Sequence, residues 1–251
     1  MKQIYVRFYA GLNSFLSPSR RGHATPYPFE VSGSVKDMVE ALGVPHTEID
    51  LILVNGESVD WSYRLQDEDQ VSVYPPFESI DVATLIHLSP QSLHQKRFVL
   101  DTHLGRLAAY LRMLGFDTLY SNDYRDEDLA RISSREERIL LTRDLGVLKR
   151  NLVTHGYWIR ATRPREQVIE IVRRFDLAGV IAPFQRCVHC NGLLHAVSKN
   201  LVLHRLLPET QQHYDEFYIC EVCNQVYWKG SHYRRMCHFI DIIRTRAQEL
   251  D

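Results

Sequence analysis

Four cysteines constrain this chain more than any other feature. They form two C-x-x-C pairs, Cys187-Val188-His189-Cys190 and Cys220-Glu221-Val222-Cys223, with 29 residues between them. Each pair makes a tight knuckle that presents two thiolates to one ion, and two knuckles complete a tetrahedral four-thiolate Zn²⁺ site. A closed site of this kind leaves no coordination position for substrate, so the zinc is expected to supply folding free energy rather than chemistry. A redox role for either pair is the lesser reading, because the remaining Cys237 has no partner at the same spacing. The residues between the pairs, Leu193 to Leu207, are read as strands or a hairpin arm of a zinc ribbon.

With 45% hydrophobic and 24% charged residues the chain is ordinary globular material, which excludes disordered, collagen-like and coiled-coil classes. Its longest apolar runs fall far short of the roughly 20 residues a membrane span needs, so no membrane role is expected. The opening Met1 to Phe8 alternates like a strand and is unlike a secretory signal, which points to the cytoplasm. The small net charge of -1 hides an asymmetry. Residues 1–80 carry 6 Lys and Arg against 11 Asp and Glu, and the remainder carries 24 against 20. A mildly basic second part suits a polyanionic partner.

Residues 1–80 read as a small α+β module. Ile4 to Ala10 alternates as a strand, and Ser34 caps a helix running from Val35 to Leu42 that Gly43 stops. Leu51 to Val54 runs into the turn Asn55-Gly56, and Gln70 to Tyr74 is a last strand closed by Pro75-Pro76. The order of these elements, with Leu42-Gly43-Val44-Pro45, Leu53-Val54-Asn55-Gly56 and Asp67-Glu68-Asp69-Gln70-Val71, resembles the ubiquitin-like sulfur carriers, a β-grasp fold. Those carriers act through a terminal Gly-Gly, where this chain has Pro75-Pro76-Phe77-Glu78 and continues. The module is therefore read as a fixed binding or scaffold domain that meets a protein partner, and sulfur transfer is disfavoured.

Residues 81–97 lack a period and read as a linker; from 98 to 182 the pattern becomes α/β. Phe98-Val99-Leu100, Asp117 to Tyr120, Arg138 to Thr142 and Gly156 to Arg160 are short strands. Between and after them come helical spacings at Leu104 to Leu114, Leu129 to Ile132 and Arg165 to Phe175. Strands alternating with helices imply a parallel sheet covered on both faces, a three-layer α/β/α domain. Asp101 follows the first of these strands directly, and Asp144 lies two residues after the third, at the carboxyl ends where such sheets build their sites. The run Asp123 to Asp128 opens a helix after the second strand and can add to the same edge. Converging carboxylates suit Mg²⁺ or Mn²⁺ and phosphodiester hydrolysis; the plainer reading is that each aspartate caps the helix behind it.

Phe98 to Asp101, Leu104 to Ala108, Leu111 to Asp117, Asp126 to Leu129 and Arg138-Ile139-Leu140-Leu141-Thr142-Arg143-Asp144 together resemble the Mut-seven C-terminal ribonuclease domain, a branch of the PIN nucleases. The resemblance runs from about Arg97 to Tyr233, and bacterial members of that family often carry a ubiquitin-like domain in front. It implies a metal-dependent endoribonuclease with Asp101, Asp126 and Asp144 as metal ligands and Asp128 or Asp123 as their neighbour. It also implies a zinc ribbon over residues 183–251 with a C-terminal helix, and the motif Trp228 to Tyr233 places His232 at the RNA phosphate. PIN nucleases present a further acid after a later strand. Tyr157 to Arg163 offers none, so a second metal site is expected to be weak or absent.

Arg106, Arg112 and Arg143 join His232 as expected phosphate contacts, and exposed aromatics such as Trp228 can stack unpaired bases. The expected substrate is single-stranded or structured, tRNA-like RNA. The alternative is a non-catalytic RNA-binding protein whose nuclease site has decayed.

Overall fold

A computed structural model of the chain describes residues 2–31, 33–76, 86, 88 and 96–249. Most of the linker read over 81–97 lies outside these residues. The chain divides into two compact units, one of residues 1–95 with 126–158 and one of residues 96–125 with 159–251.

The first unit begins with a β-grasp. Its elements are β1 (Lys2–Phe8), β2 (Thr25–Phe29), α1 (Val35–Ala41), β3 (Leu51–Val54), β4 (Glu57–Ser58) and β5 (Gln70–Tyr74). The strands order as β2-β1-β5-β3-β4, with β1 and β5 parallel and the other pairs antiparallel. Alternation puts Ile4, Val6 and Phe8 of β1 beside Val71 and Val73 of β5 on one face, where Val35, Met38 and Val39 of α1 close the core. Strand β2 escaped the sequence reading because Pro26 and Pro28 interrupt it. It is an edge strand, where a missing N–H costs no ladder bond. Helix α1 starts in a capping box: Ser34 Oγ accepts from the Asp37 N–H, and Asp37 Oδ2 accepts from the Ser34 N–H at 3.0 Å.

The chain then forms β6 (Phe98–Leu100), α2 (Gly105–Met113), β7 (Thr118–Tyr120), α3 (Asp126–Arg135), β8 (Ile139–Thr142), α4 (Leu145–Leu148), β9 (Gly156–Trp158) and α5 (Pro164–Arg174). The alternation read from the sequence is present, and the strand pairs β6–β7 and β8–β9 are both parallel.

In the first unit, the segment carrying β8, α4 and β9 is seated on the β-grasp module. The single turn His46–Glu48 packs against β9. His46 spans the seam, with Nδ1 2.6 Å from Glu40 Oε1 and Nε2 2.9 Å from the Val153 carbonyl. Lys149 Nζ donates to the Glu40 carbonyl and Lys36 Nζ to Asn151 Oδ1. Gly156 lets β9 lie close to Leu148 and Val153 of its own segment. A Cβ there would lie 2.5 Å from Leu148 Cδ2, 3.3 Å from Val153 Cγ1 and 3.4 Å from Thr47 Oγ1.

In the second unit, β6 and β7 pack with α2 and α5. The last elements are β10 (Leu194–Val197), α6 (Lys199–Val202), α7 (Pro208–His213), β11 (Phe217–Cys220), β12 (Val226–Trp228) and α8 (Tyr233–Gln248). Strands β10, β11 and β12 form an antiparallel ribbon over Val202, Leu206, Phe217 and Val226. The span from Leu193 to Leu207, read as strands, is extended only to Val197 and then turns helical at α6. Val202 and Leu206, four apart, supply the apolar side chains that plug the ribbon. Helix α8 returns to α5, with Phe239 edge-on to Tyr110 at 5.0 Å and under the Arg165 guanidinium at 4.9 Å. Among the described residues no helix is long and apolar enough to cross a membrane.

The capping box yields a stability prediction. Its hydrogen bonds from the Ser34 side chain and backbone hold the Asp37 carboxyl below its ordinary value. The resulting stability is present above the usual carboxylate range and is lost as pH falls through the depressed value. Ser34→Ala is expected to cost about 1 kcal/mol at neutral pH, read by urea unfolding through Trp61, which packs on the β-grasp core. The difference should shrink in acid, once Asp37 is protonated.

Candidate metal centre and acidic site

Four sulfurs meet where the two knuckles face each other. Cys187 and Cys223 Sγ lie 3.6 Å apart, Cys190 and Cys220 Sγ 3.3 Å apart, and all four sulfurs fall within 4.8 Å of one another. A zinc tetrahedron with Zn–S of about 2.3 Å has edges of about 3.8 Å. A disulfide needs about 2.05 Å, and all five cysteines are free. The two knuckles are built alike. Asn191 and Asn224 each follow a C-x-x-C pair, sit at φ +75° and +59°, and return their N–H to the carbonyl of the first cysteine at 2.9 and 3.0 Å. This repeated C-x-x-C-N pattern was present in the sequence and went unread.

Gly192 lets the knuckles close. A Cβ there would stand 2.7 Å from Val222 Cγ2 and 2.8 Å from Cys220 Sγ. The electrostatics also call for a cation. Burial opposes ionisation of Cys187 most strongly, but hydrogen bonds from the Tyr227 hydroxyl at 3.0 Å and from nearby backbone outweigh it and bring the thiol down to about 7. Burial and the neighbouring sulfurs push Cys190 up to about 12, and burial raises Cys223 as well. One dication lets all four ionise together, so the donor set fits Zn²⁺.

The centre is tied into the second unit by Arg112. This side chain, expected at RNA phosphate, is buried at 4% exposure. Its Nε donates to the Thr118 carbonyl at 2.9 Å, and its Nη1 donates to the carbonyls of His189 at 2.7 Å and Val188 at 3.3 Å. Arg112 is thus a structural cation that joins α2, β7 and the first knuckle, with no face left for solvent. Its helical spacing with Leu111 and Leu114 placed it on α2 without telling which side it occupied. Asn191 adds a second tie, accepting from the Thr118 N–H and donating to Asp117.

The carboxylates are placed element by element. Asp101, 5% exposed, follows β6; its Oδ1 accepts from the Thr102 N–H at 2.6 Å and its Oδ2 lies 3.0 Å from His103 Nε2. Asp144 follows β8 and caps α4. Its Oδ1 accepts from the Gly146 N–H at 2.7 Å, and its own N–H donates to Thr142 Oγ1. Asp126 and Asp128 open α3, where Asp126 Oδ2 lies 3.6 Å from Arg150 and Asp128 pairs with Arg131. Asp123 is exposed in the preceding turn. The strand-end positions of Asp101 and Asp144 are as read, and the capping role weighed against a site is real for both. Among the described residues, the four cysteines are the group of three or more metal-ligating side chains held within 4.8 Å. Sequence reasoning missed His103, two residues after Asp101, and Arg150, which meets Asp126 only through the fold.

Of the other expected RNA contacts, Arg106 and His232 are exposed, and Arg143 is half-buried. Trp228 is 38% exposed, while its neighbour Lys229 is engaged with Glu216 at 2.6 Å.

Replacing Arg112 tests the tie. Arg112→Ala leaves the buried Thr118 carbonyl and the part-buried carbonyls of Val188 and His189 without this donor and is expected to cost about 2–3 kcal/mol in chemical denaturation. Arg112→Lys should recover little, since one ammonium cannot reproduce the planar fork.

No curated protein and no solved structure matches the chain. Two family models do. The Mut7-C ubiquitin domain covers residues 1–81, and the Mut7-C RNAse domain covers residues 96–240, more than half of the chain. The chain therefore belongs to the Mut7-C RNAse domain family, with the family's ubiquitin domain in front.

Proposed function

We propose that the chain is a metal-dependent endoribonuclease. Asp101, Asp126 and Asp144, with Asp128 beside them, hold Mg²⁺ or Mn²⁺, and Cys187, Cys190, Cys220 and Cys223 hold a structural Zn²⁺. The observation that carries this reading is the placement of Asp101 and Asp144 at the carboxyl ends of the parallel strands β6 and β8 in a chain of the RNAse-domain family. Each has one oxygen fixed by a backbone N–H, which aims the other without further ordering.

A bound divalent ion supplies a water of lowered pKa and offsets charge on the phosphate. The residues of the chain do the rest. Asp101, Asp126 and Asp144 fix the ion's position through hard oxygen donors. Arg106, exposed on α2, and His232, exposed before α8, meet the phosphate backbone of single-stranded or tRNA-like RNA. His103, against Asp101, is an imidazole placed to carry a proton as the phosphorus–oxygen bond to the leaving ribose breaks and water oxygen replaces it.

The second reading, RNA binding without cleavage, draws on two features. Asp101 and Asp144 both already serve as caps, and 157–163 supplies no further acid. One experiment separates the two. Purified protein retaining zinc is incubated with single-stranded RNA and with a tRNA in Mn²⁺, beside Asp144→Asn and EDTA controls. The nuclease reading expects cleavage that EDTA abolishes and that falls by at least about 10²-fold in Asp101→Asn and Asp144→Asn. Cleavage unaffected by either substitution would overturn the assignment of the acids. RNA binding with no cleavage would establish the second reading. In the same preparations, elemental analysis should find one zinc per chain, lost in Cys220→Ser and in Gly192→Ala.

A further inference from the structure

Trp158, at the end of β9, connects three places in the first unit. Its backbone N–H donates to Glu48 Oε1 of the β-grasp module at 2.6 Å, and its indole ring packs on Phe15 of the same module with centroids 5.2 Å apart. Its indole N–H donates to the carbonyl of Arg143 at 3.1 Å, the residue directly before Asp144. Glu48 is itself buried, at 4% exposure, so its carboxylate oxygens depend on protein donors in place of water.

We infer that Trp158 is a positioning residue for Asp144, and that the ubiquitin-like module, through Glu48 and Phe15, holds Trp158 in place. The inference rests on the reading of Asp144 as a metal ligand. The peptide entering Asp144 is fixed by Trp158 on its carbonyl side, and the Asp144 N–H is fixed by Thr142 Oγ1 at 2.8 Å. With the backbone pinned on both sides, the bond from the Gly146 N–H to Asp144 Oδ1 orients the carboxylate. The module therefore acts on the nuclease from within the chain. It completes the support of one acid through a hydrogen bond and a ring contact that a free-standing carrier domain would not make. Outer groups that orient a ligating carboxylate carry about 10- to 100-fold of metal affinity or activity.

The test uses the full chain with zinc in place and compares Trp158→Phe, Glu48→Ala and Glu48→Gln with wild type. Phenylalanine keeps an aromatic ring against Phe15 and loses the indole donor; glutamine keeps an oxygen acceptor for the Trp158 N–H. Three measurements are made: amide hydrogen exchange over residues 143–148, Mn²⁺ binding by calorimetry, and RNA cleavage kinetics at fixed Mn²⁺. The expected result is faster exchange in 143–148 for Trp158→Phe and Glu48→Ala, with exchange in α1 and β5 unchanged. Mn²⁺ should bind about tenfold more weakly, with the RNA KM unaltered and kcat reduced at fixed metal. Glu48→Gln should recover part of each effect. Unchanged exchange at 143–148 in Trp158→Phe would overturn the inference, as would loosening spread evenly over the whole unit in both Trp158→Phe and Glu48→Gln. Exchange reports the support of Asp144 whether or not RNA is cut. A failure of the nuclease reading shows separately, as wild-type protein that neither binds Mn²⁺ at the acids nor cleaves.

Discussion

The second unit is organised by the neutralisation of buried charge. Four thiolates around Zn²⁺ would carry a net charge of about -2, and Arg112 is the cation the fold buries nearby, against the carbonyls of Val188 and His189 and beside Cys187 and Cys190. A buried guanidinium is costly unless its donors are used, and here Nε and Nη1 end on three carbonyls. The same side chain reaches the Thr118 carbonyl of β7, so the first knuckle is bonded to the element whose strand pairs with β6, and Asp101 follows β6. The ribbon is therefore part of the α/β unit in the same sense as a packed helix. Its sequence separation from α2 conceals that.

The first unit makes a parallel point about the ubiquitin-like module. Sulfur carriers need a free terminal tail, and Pro75-Pro76 in that place makes sulfur transfer disfavoured. What the sequence could not indicate is that His46, Glu48, Lys36 and Phe15 all face residues more than a hundred positions away. A histidine bridging Glu40 and the Val153 carbonyl, and Lys149 donating to the Glu40 carbonyl, tie the module to the segment that carries Asp144. The partner expected for this domain is, at least on this face, the chain itself.

Local chemistry decided what could be read from sequence. The capping box at Ser34, the Asn55-Gly56 turn, the buried run Phe98 to Leu100 and the two cysteine knuckles each obey rules spanning a few residues, and they formed where expected. Failures came where a rule of short range met a choice of long range. Strand β2 is disguised by prolines that only an edge position tolerates. Arg112 has the spacing of a helix surface and the position of a core residue because its partners arrive from Val188 and His189. The stretch after Val197 had turn and apolar residues enough for a strand, but Val202 joins Phe217 and Val226 from α6 and Leu206 from the turn that follows it.

The acids themselves form a hierarchy. Asp101 is buried, with one oxygen on a backbone N–H and the other against His103, so its direction is set before any ligand arrives. Asp144 is exposed but capped, and its backbone is pinned from Thr142 and Trp158. Asp126 is exposed and, among the described residues, pairs with the long side chain of Arg150 at 3.6 Å, an ion pair of the kind worth about 0–1 kcal/mol. Asp144 is thus ordered by its own loop, whereas Asp126 is held loosely and leaves Arg150 at little cost.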